Sequence, residues 1–303
     1  MNLFRKIALI VTITFFSINS YGQGYIHYDY ISTSILKDNL EGQYGSGNMQ
    51  IISCGYDIPL STKYNAKQQP AIWTANVRLS YGALNNCGQA TGLNPSDIFN
   101  GSLNITHVRP LSKKWDFIAS IGSGIYAPTN EITSKSMLAN GGLIFLFKLN
   151  KNLSLGAGAG ITNSYGAPMF VPMLTISWHK TGKYEFLIDM SSGLKVASSI
   201  RFSKAIKLEL TALEVDGMSA VRNINGKSVI YSTVMLNSYV RPSVNIGKHL
   251  EIFAGAGGNW VRGIKTSERD IKGFFDVFKE DKEEDNLRFD VALRIFTGLN
   301  FKF

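Results

Sequence analysis

The last seventeen residues of the chain alternate between apolar and polar positions. From Leu287 the odd positions are almost all apolar or aromatic, and they end on Phe301 and Phe303. The even positions between them include Arg288, Asp290 and Arg294. A period of two is the pattern of a β-strand with one apolar and one polar face.

The same period recurs along most of the chain, for example in AIWTANVRLSY, WDFIASIGSGIYA and KYEFLIDM. It predicts an all-β fold of about fourteen antiparallel strands. Twelve is the alternative, because the first strand and the pair around Ser191–Ser192 have the weakest pattern. The predicted strands are 25–36, 47–58, 70–82, 98–110, 115–127, 137–149, 153–162, 168–179, 183–190, 193–202, 205–215, 229–245, 249–261 and 287–303.

Short and long connections alternate between these strands. Turns such as 111–114, 150–152 and 180–182 are short, whereas 83–97, 216–228 and 262–286 are long. Short periplasmic turns and longer outer loops are typical of an up-and-down transmembrane β-barrel, which must close because hydrocarbon does not tolerate an open sheet edge. A soluble β-sandwich or lipocalin-like barrel is the alternative, since alternation does not say which face points outward.

Composition supports an exported membrane protein. Only 17% of the 303 residues are charged, and 29 are glycine. Residues 1–22 have the basic, apolar and small-polar layout of a cleaved signal peptide, so 23–303 is expected to be the barrel, in the outer membrane with lipid as its partner. After this segment no window is long and apolar enough for a spanning helix. The net charge of +9 is scattered, and no nucleic-acid motif accompanies it.

The terminal strand LRFDVALRIFTGLNFKF resembles the C-terminal sorting signal of outer-membrane barrels, with Phe301 and Phe303 as its aromatic end. This resemblance implies recognition by the barrel-assembly machinery during insertion. With SYGQG and LSKKWDFIASIGSGIYA, it also makes the chain similar to uncharacterised, porin-like barrels of Bacteroidota, including a family known only as a domain of unknown function. The resemblance implies a fold and assigns no activity.

Two sets of side chains are candidates for interaction with lipid and solute. The four tryptophans are expected to anchor the barrel at the membrane interfaces as an aromatic girdle: Trp73, Trp115, Trp178 and Trp260. Charged residues on the polar strand faces are expected to line the lumen, and the arginines among them to form a constriction for anionic solutes: Arg78, Arg201, Arg288, Arg294, Lys207, Glu209 and Asp290.

These residues leave two functions open. The first is a passive channel for small, anionic solutes. The second is a structural or interaction barrel with a filled lumen, in which the same charges pair and brace the wall while outer loops bind a partner. The loop 262–286 is either a lid, plug or partner contact or a solvated loop.

An enzyme is the least favoured reading. No nucleophile or metalloprotease motif is present, and the histidines fall near the predicted periplasmic ends of strands, far from the outer surface. The sequence therefore predicts no catalytic residues, no metal site and no cofactor. Cys54 and Cys87 are expected to be separate thiols, with a disulfide as the alternative.

Overall fold

The computed structural model describes residues 22–38, 40–65, 68–162, 169–190, 194–224, 226–269 and 287–302. The predicted signal peptide, Phe303 and most of the loop 262–286 lie outside these residues. The strands are β1 Gln23–Lys37, β2 Gln43–Tyr64, β3 Pro70–Cys87, β4 Asp97–Pro110, β5 Trp115–Ala127, β6 Met137–Lys148, β7 Leu153–Thr162, β8 Met169–Lys180, β9 Tyr184–Asp189, β10 Leu194–Arg201, β11 Ile206–Ile224, β12 Lys227–Ile246, β13 Leu250–Glu268, β14 Leu287–Phe289 and β15 Ala292–Lys302.

The strands form one closed antiparallel ring. Each strand pairs with its sequence neighbours, and β1 closes the ring by pairing with β14 and β15, from Lys37↔Arg288 to Gln23↔Lys302. β14 and β15 are two segments of the last strand, interrupted at Asp290–Val291, so the ring has fourteen strand positions. The predicted count of fourteen is confirmed, and both ends of the described barrel lie at one rim.

The outer surface of the ring is apolar. On β15, Leu293 and Ile295 are 52% and 47% exposed, whereas their neighbours Arg294 and Phe296 face inward and are buried. Large apolar side chains are exposed in the same way on every strand from β1 to β13 except β9 and β10, which contribute Tyr184 and Phe202 at their ends. Because these faces point away from the lumen, the barrel presents its apolar side to lipid, as a transmembrane barrel must.

Several strands run further outward than the sequence predicts. Residues 43–46, 83–87, 216–224 and 262–268 were expected to be loops, and they continue β2, β3, β11 and β13. The reason is that strands beyond the bilayer need no lipid-facing apolar residues, so the period of two weakens there. The β11–β12 pair ends in a tight turn at Gly226, which has a positive φ of +80°.

Two strands are shorter than expected. A tilted strand needs about 9–11 residues to cross the hydrocarbon, whereas β9 has 6 residues and β10 has 8. The predicted strands 183–190 and 193–202 are therefore longer than the strands of this hairpin, which is too short to span the bilayer.

The described helices are a four-residue turn, α1 (Ala90–Leu93), and a 3₁₀ turn at Ser134–Ser136. Among the described residues, no helix has the length and hydropathy required to pass through a bilayer.

Candidate functional site

The lumen contains a cluster of charged residues centred on Arg294. This arginine is 4% exposed. Its Nε and Nη2 donate to the two carboxylate oxygens of Asp29, at 2.7 and 3.1 Å, and its Nη1 donates to Glu214 at 2.7 Å. Asp216 lies 3.9 Å away, and the Tyr239 hydroxyl donates to the other Glu214 oxygen at 2.9 Å. These bonds join β15 to β1 and, across the lumen, to β11.

A second network lies nearer the periplasmic rim. Lys195 donates to Glu209 at 2.9 Å, and Arg241 donates to Glu251 at 2.8 Å while lying 3.7 Å from Glu209. Lys302 is 3.6 Å from Glu251. The chain of alternating charges therefore connects β10, β11, β12, β13 and β15 along the inner wall.

Glu185 on β9 is the centre of a third group. Arg201 and Lys207 approach it at 2.6 and 2.7 Å, and the Ser199 hydroxyl donates to it at 3.2 Å.

On the opposite side of the ring, two ion pairs face the lumen. The Arg78 guanidinium lies 2.5 Å from Asp57, and the Lys148 ammonium lies 2.5 Å from Asp116.

The structure thus brings five predicted lumen residues to the inner wall, each beside a carboxylate or a cation: Arg78, Arg201, Lys207, Glu209 and Arg294. They do not form a ring of free arginines. Opposite charges in contact cancel most of each other's field, so the predicted constriction for anions loses its basis.

The positions of Arg288 and Asp290 contradict the sequence prediction. The interruption at Asp290–Val291 reverses the alternation, so that Phe289 is buried on the inner side and Arg288 lies on the opposite face. Asp290 forms an ion pair with the Lys37 ammonium at 3.2 Å on the outer rim. The hydrogen bonds from this ammonium and from the Val291 N–H lower the pKa of Asp290. Neither residue lines the lumen.

Sequence reasoning missed the acidic half of the lumen. Glu214 and Asp216 were hidden by a register shift between Thr211 and Glu214, which moves both carboxylates to the inner face. Asp29 could have been found from the closure of the ring. The first strand pairs with the last, and the partner of Asp29 in that pairing, Phe296, is two residues from Arg294. Asp57, Asp116, Arg241 and Glu251 were also missed, although each follows the alternation of its strand.

An apolar core fills the outer mouth of the lumen. We call it the outer-mouth core. It contains inward-facing side chains from β1 to β4 and from β11 to β15, with Ala90 of α1: Ile31, Leu36, Met49, Ile51, Leu84, Ala90, Ile98, Met218, Ala220, Tyr231, Met235, Ile264, Phe289 and Ala292. The Tyr231 hydroxyl donates to Asn94 at 2.7 Å, which ties β12 to the β3–β4 connection. Such packing excludes water from this end of the lumen.

The outward part of β11 crosses the lumen. It contacts β4 and β5, and β4 is seven positions away from β11 in either direction around the ring. The Asn223 N–H donates to Glu131 at 3.1 Å, and Arg222 Nε lies 3.6 Å from the same carboxylate. We call Arg222, Asn223 and Glu131 the latch. These contacts bring opposite walls of the barrel together at the outer mouth.

The tryptophans all lie on the outer surface, where they are exposed. Trp73 stacks on His107 with ring centroids 4.2 Å apart, and Trp115 and Trp178 contact Phe147 and Phe186. Trp260 is ten residues from the start of β13, or about 23 Å in height for a strand tilted by about 45°. This height matches the apolar band of a barrel. The girdle role stays a prediction.

Other predictions concern chemistry and assembly. Among the described residues, no group of three or more His, Cys, Asp or Glu side chains is placed to hold a metal ion. Cys54 and Cys87 are both free thiols. Phe301 pairs with Gly24 and Leu250 next to the periplasmic rim, and its reading as an assembly signal stays a prediction.

A closed ring of fourteen antiparallel strands with an apolar outside and a charged inside defines a transmembrane β-barrel. The family model described as "Domain of unknown function (DUF6268)" matches residues 18–302, so the chain belongs to this family. No curated protein matches the chain.

Solved barrels are similar in fold at low identity. The KdgM porin in complex with disordered oligogalacturonate is 10% identical, with 92% of this chain and 99% of that chain covered and a TM-score of 0.30. The translocator domain of autotransporter NalP from Neisseria meningitidis is 10% identical, with 98% and 94% covered and a TM-score of 0.34. The Pseudomonas putida toluene transporter TodX is 10% identical, with 95% and 91% covered and a TM-score of 0.37.

Proposed function

We propose that this protein is an outer-membrane transport barrel whose axial path is closed at rest by the crossing of β11. One observation carries this proposal: opposite walls meet at the outer mouth through the outer-mouth core and the latch. A lumen lined with paired charges of both signs is wettable and gives at most a weak ion preference. Export by cleavage after residue 22 and recognition of the last strand by the assembly machinery belong to the same proposal.

The latch is built from few bonds. Glu131 lies on the β5–β6 connection and holds β11 through one backbone donor and one guanidinium. A buried hydrogen bond to a charged group contributes about 1.5–3 kcal/mol to stability. This site is partly exposed, so the latch is expected to stabilise the closed state by about 1.5 kcal/mol. The latch is therefore one modest contribution to the closure, beside the packing of the outer-mouth core.

The test is conductance of the purified protein in planar bilayers. Wild type should be closed most of the time, and Glu131→Ala should raise the open probability by about tenfold, since 1.4 kcal/mol is a factor of ten. Glu268→Ala is the matched control, because it removes an exposed ion pair of 2.6 Å with Lys227 at the outer tip of β12 and β13. Persistent opening of wild type, or silence of a folded Glu131→Ala variant, would refute the latch.

A second candidate is a barrel with a braced, filled lumen that works through its outer surface. The pairing of all five inward-facing predicted charges favours it. It expects both the wild type and the latch variant to stay silent in the same bilayers while heat-modifiable gel mobility shows that they are folded.

A further inference from the structure

Between β8 and β11 the barrel wall extends less far toward the outer side than it does elsewhere. β9 and β10 are short, and only the four residues 190–193 join them. Their last rungs with the flanking strands are Ser177↔Asp189 and Leu194↔Val215. Beyond these rungs, no described residue pairs with the β9 side of residues 169–175 or with the β10 side of residues 216–224. Among the described residues, the wall therefore has a gap on its outer side.

The gap lies at the depth of the hydrocarbon. The β8 side chains that border it on the outside are Phe170 and Leu174, which are 69% and 75% exposed. Both lie further from the periplasmic rim than Trp178, an exposed tryptophan near the end of the same strand. A strand of β8's length, 12 residues, spans the apolar band when tilted. The gap therefore opens toward acyl chains.

At this gap, the edge of β8 has backbone groups that pair with no other described residue. The Met190 N–H donates to the Ile176 carbonyl at 3.0 Å, so the backbone of Ile176 points toward β9. Alternate residues of a strand point the same way, and the groups of Phe170, Pro172 and Leu174 therefore point into the gap. Pro172 lacks an N–H, which fits an edge and would be unfavourable between two paired strands.

Such an edge cannot face pure hydrocarbon, where each unpaired backbone group costs several kcal/mol. It needs a polar group from the lumen side or from a ligand. With Pro172 in the middle, the edge offers more carbonyl acceptors than N–H donors.

Behind the edge, the inner wall leaves room. Met173 lies flat over glycines of the neighbouring strands: a Cβ placed at Gly142 or Gly160 would be 2.8 or 3.1 Å from its Sδ. Side chains larger than glycine at these positions would displace Met173 into the lumen. The glycines therefore let Met173 lie against the wall, which leaves space in the lumen beside the gap.

We propose that the gap between β8 and β11 is a lateral port, through which an amphiphile with a hydrocarbon chain passes between the lumen and the surrounding lipid. Its polar group would bond to the exposed edge of β8 while its chain stays beside Phe170 and Leu174. This inference rests on the proposed transport function and deepens it, because it supplies a route that the closed outer mouth denies along the axis.

The test measures whether lipid chains reach the lumen at the gap. In a Cys54→Ser/Cys87→Ser background, an environment-sensitive fluorophore is attached to Met173→Cys, and the protein is placed in vesicles of phosphatidylcholine brominated in its acyl chains. Ile144→Cys is the matched control: it faces the lumen at the same register level, since Gly158 pairs with both Ile144 and Met173, but its strand is paired on both sides. Leu174→Cys reports full lipid exposure.

Quenching at position 173 is expected to exceed that at position 144 by about threefold and to approach that at position 174. Equal, weak quenching at positions 173 and 144 would overturn the port, and so would strong quenching at both, which would mean a lumen filled with lipid throughout. If Met173→Cys does not fold, Val171→Cys lies on the same face of β8. Conductance by Glu131→Ala without quenching at 173 would reject the port alone, and quenching without conductance would reject the latch alone.

Discussion

Arg294 is expected to be the most important single residue for the stability of the lumen. It is 4% exposed and makes three short hydrogen bonds to Asp29 and Glu214. Replacing it by Met keeps much of the volume but leaves two inward carboxylates without their main partner. Breaking a buried ion pair in this way costs about 3–5 kcal/mol, so Arg294→Met should lower the free energy of unfolding by about that amount.

A double-mutant cycle separates this pairing from simple loss of packing. Asp29→Asn removes one of the stranded charges, so the Arg294→Met/Asp29→Asn protein should lose less than the sum of the two single changes, with a coupling energy of about 1–3 kcal/mol. The assay is denaturant titration in phospholipid vesicles, followed by tryptophan fluorescence and heat-modifiable gel mobility. Lys227→Met is the control, because its exposed ion pair with Glu268 should contribute less than about 1 kcal/mol.

Two results would refute this reasoning. A loss of less than about 1 kcal/mol for Arg294→Met would mean that the cluster is solvated rather than buried. Strict additivity in the cycle would mean that Arg294 and Asp29 do not depend on each other.

The remaining predictions concern the outer mouth and use the same titration. Arg262 is 1% exposed, its Nη2 donates to the Gly47 carbonyl at 3.0 Å and its guanidinium lies over Phe289 at 3.7 Å, but its Nε and Nη1 have no hydrogen-bond partner among the described residues. Arg262→Met should therefore raise the free energy of unfolding by about 1–4 kcal/mol, and a decrease would show that the cation is compensated. Gly45→Ala should lower it by about 1–3 kcal/mol, because φ is +120° and a Cβ would collide with the Cys87 carbonyl; an unchanged midpoint would mean that the backbone relaxes there.

Much of the ring could be predicted from local pattern. On β15, Leu293 and Ile295 alternate with Arg294 and Phe296, and the outward and inward faces are those that the period of two indicates. The pattern is informative there because lipid on one side and charge on the other force a strict alternation. Where both faces contact protein or water, as along 216–224, the alternation carries less information, and the sequence predicts a loop in place of the observed strand.

The candidate site was harder to predict because register shifts move side chains between faces. One interruption at Asp290–Val291 removed Arg288 and Asp290 from the lumen, and one shift after Thr211 brought Glu214 and Asp216 into it. A shift of one residue inverts every later position of a strand, and no local residue preference marks it reliably. Pairing between distant strands, which decides whether a charge is free, is not a property of any single segment.

The lateral gap did leave a signal in the sequence. Pro172 is the second residue of VPMLTISW, within an otherwise regular strand, and proline within a sheet is confined to edges and bulges. Together with the short pattern of 183–190, it could have indicated that β8 lacks a partner on one side.

The closed outer mouth can be tested directly by a cross-link between opposite walls. Met218 Sδ lies 2.9 Å from the position of a Cβ at Gly82, so cysteines at both positions share the space that the methionine occupies. In the Cys54→Ser/Cys87→Ser background, Gly82→Cys/Met218→Cys protein in vesicles should form an intramolecular cross-link with an oxidant or a short bismaleimide. The control pair Gly82→Cys/Ser199→Cys should not form a cross-link, because Ser199 lies on β10 near the periplasmic rim. Failure of the first pair to cross-link, with each thiol reactive alone in folded protein, would contradict the closure of the lumen by β11.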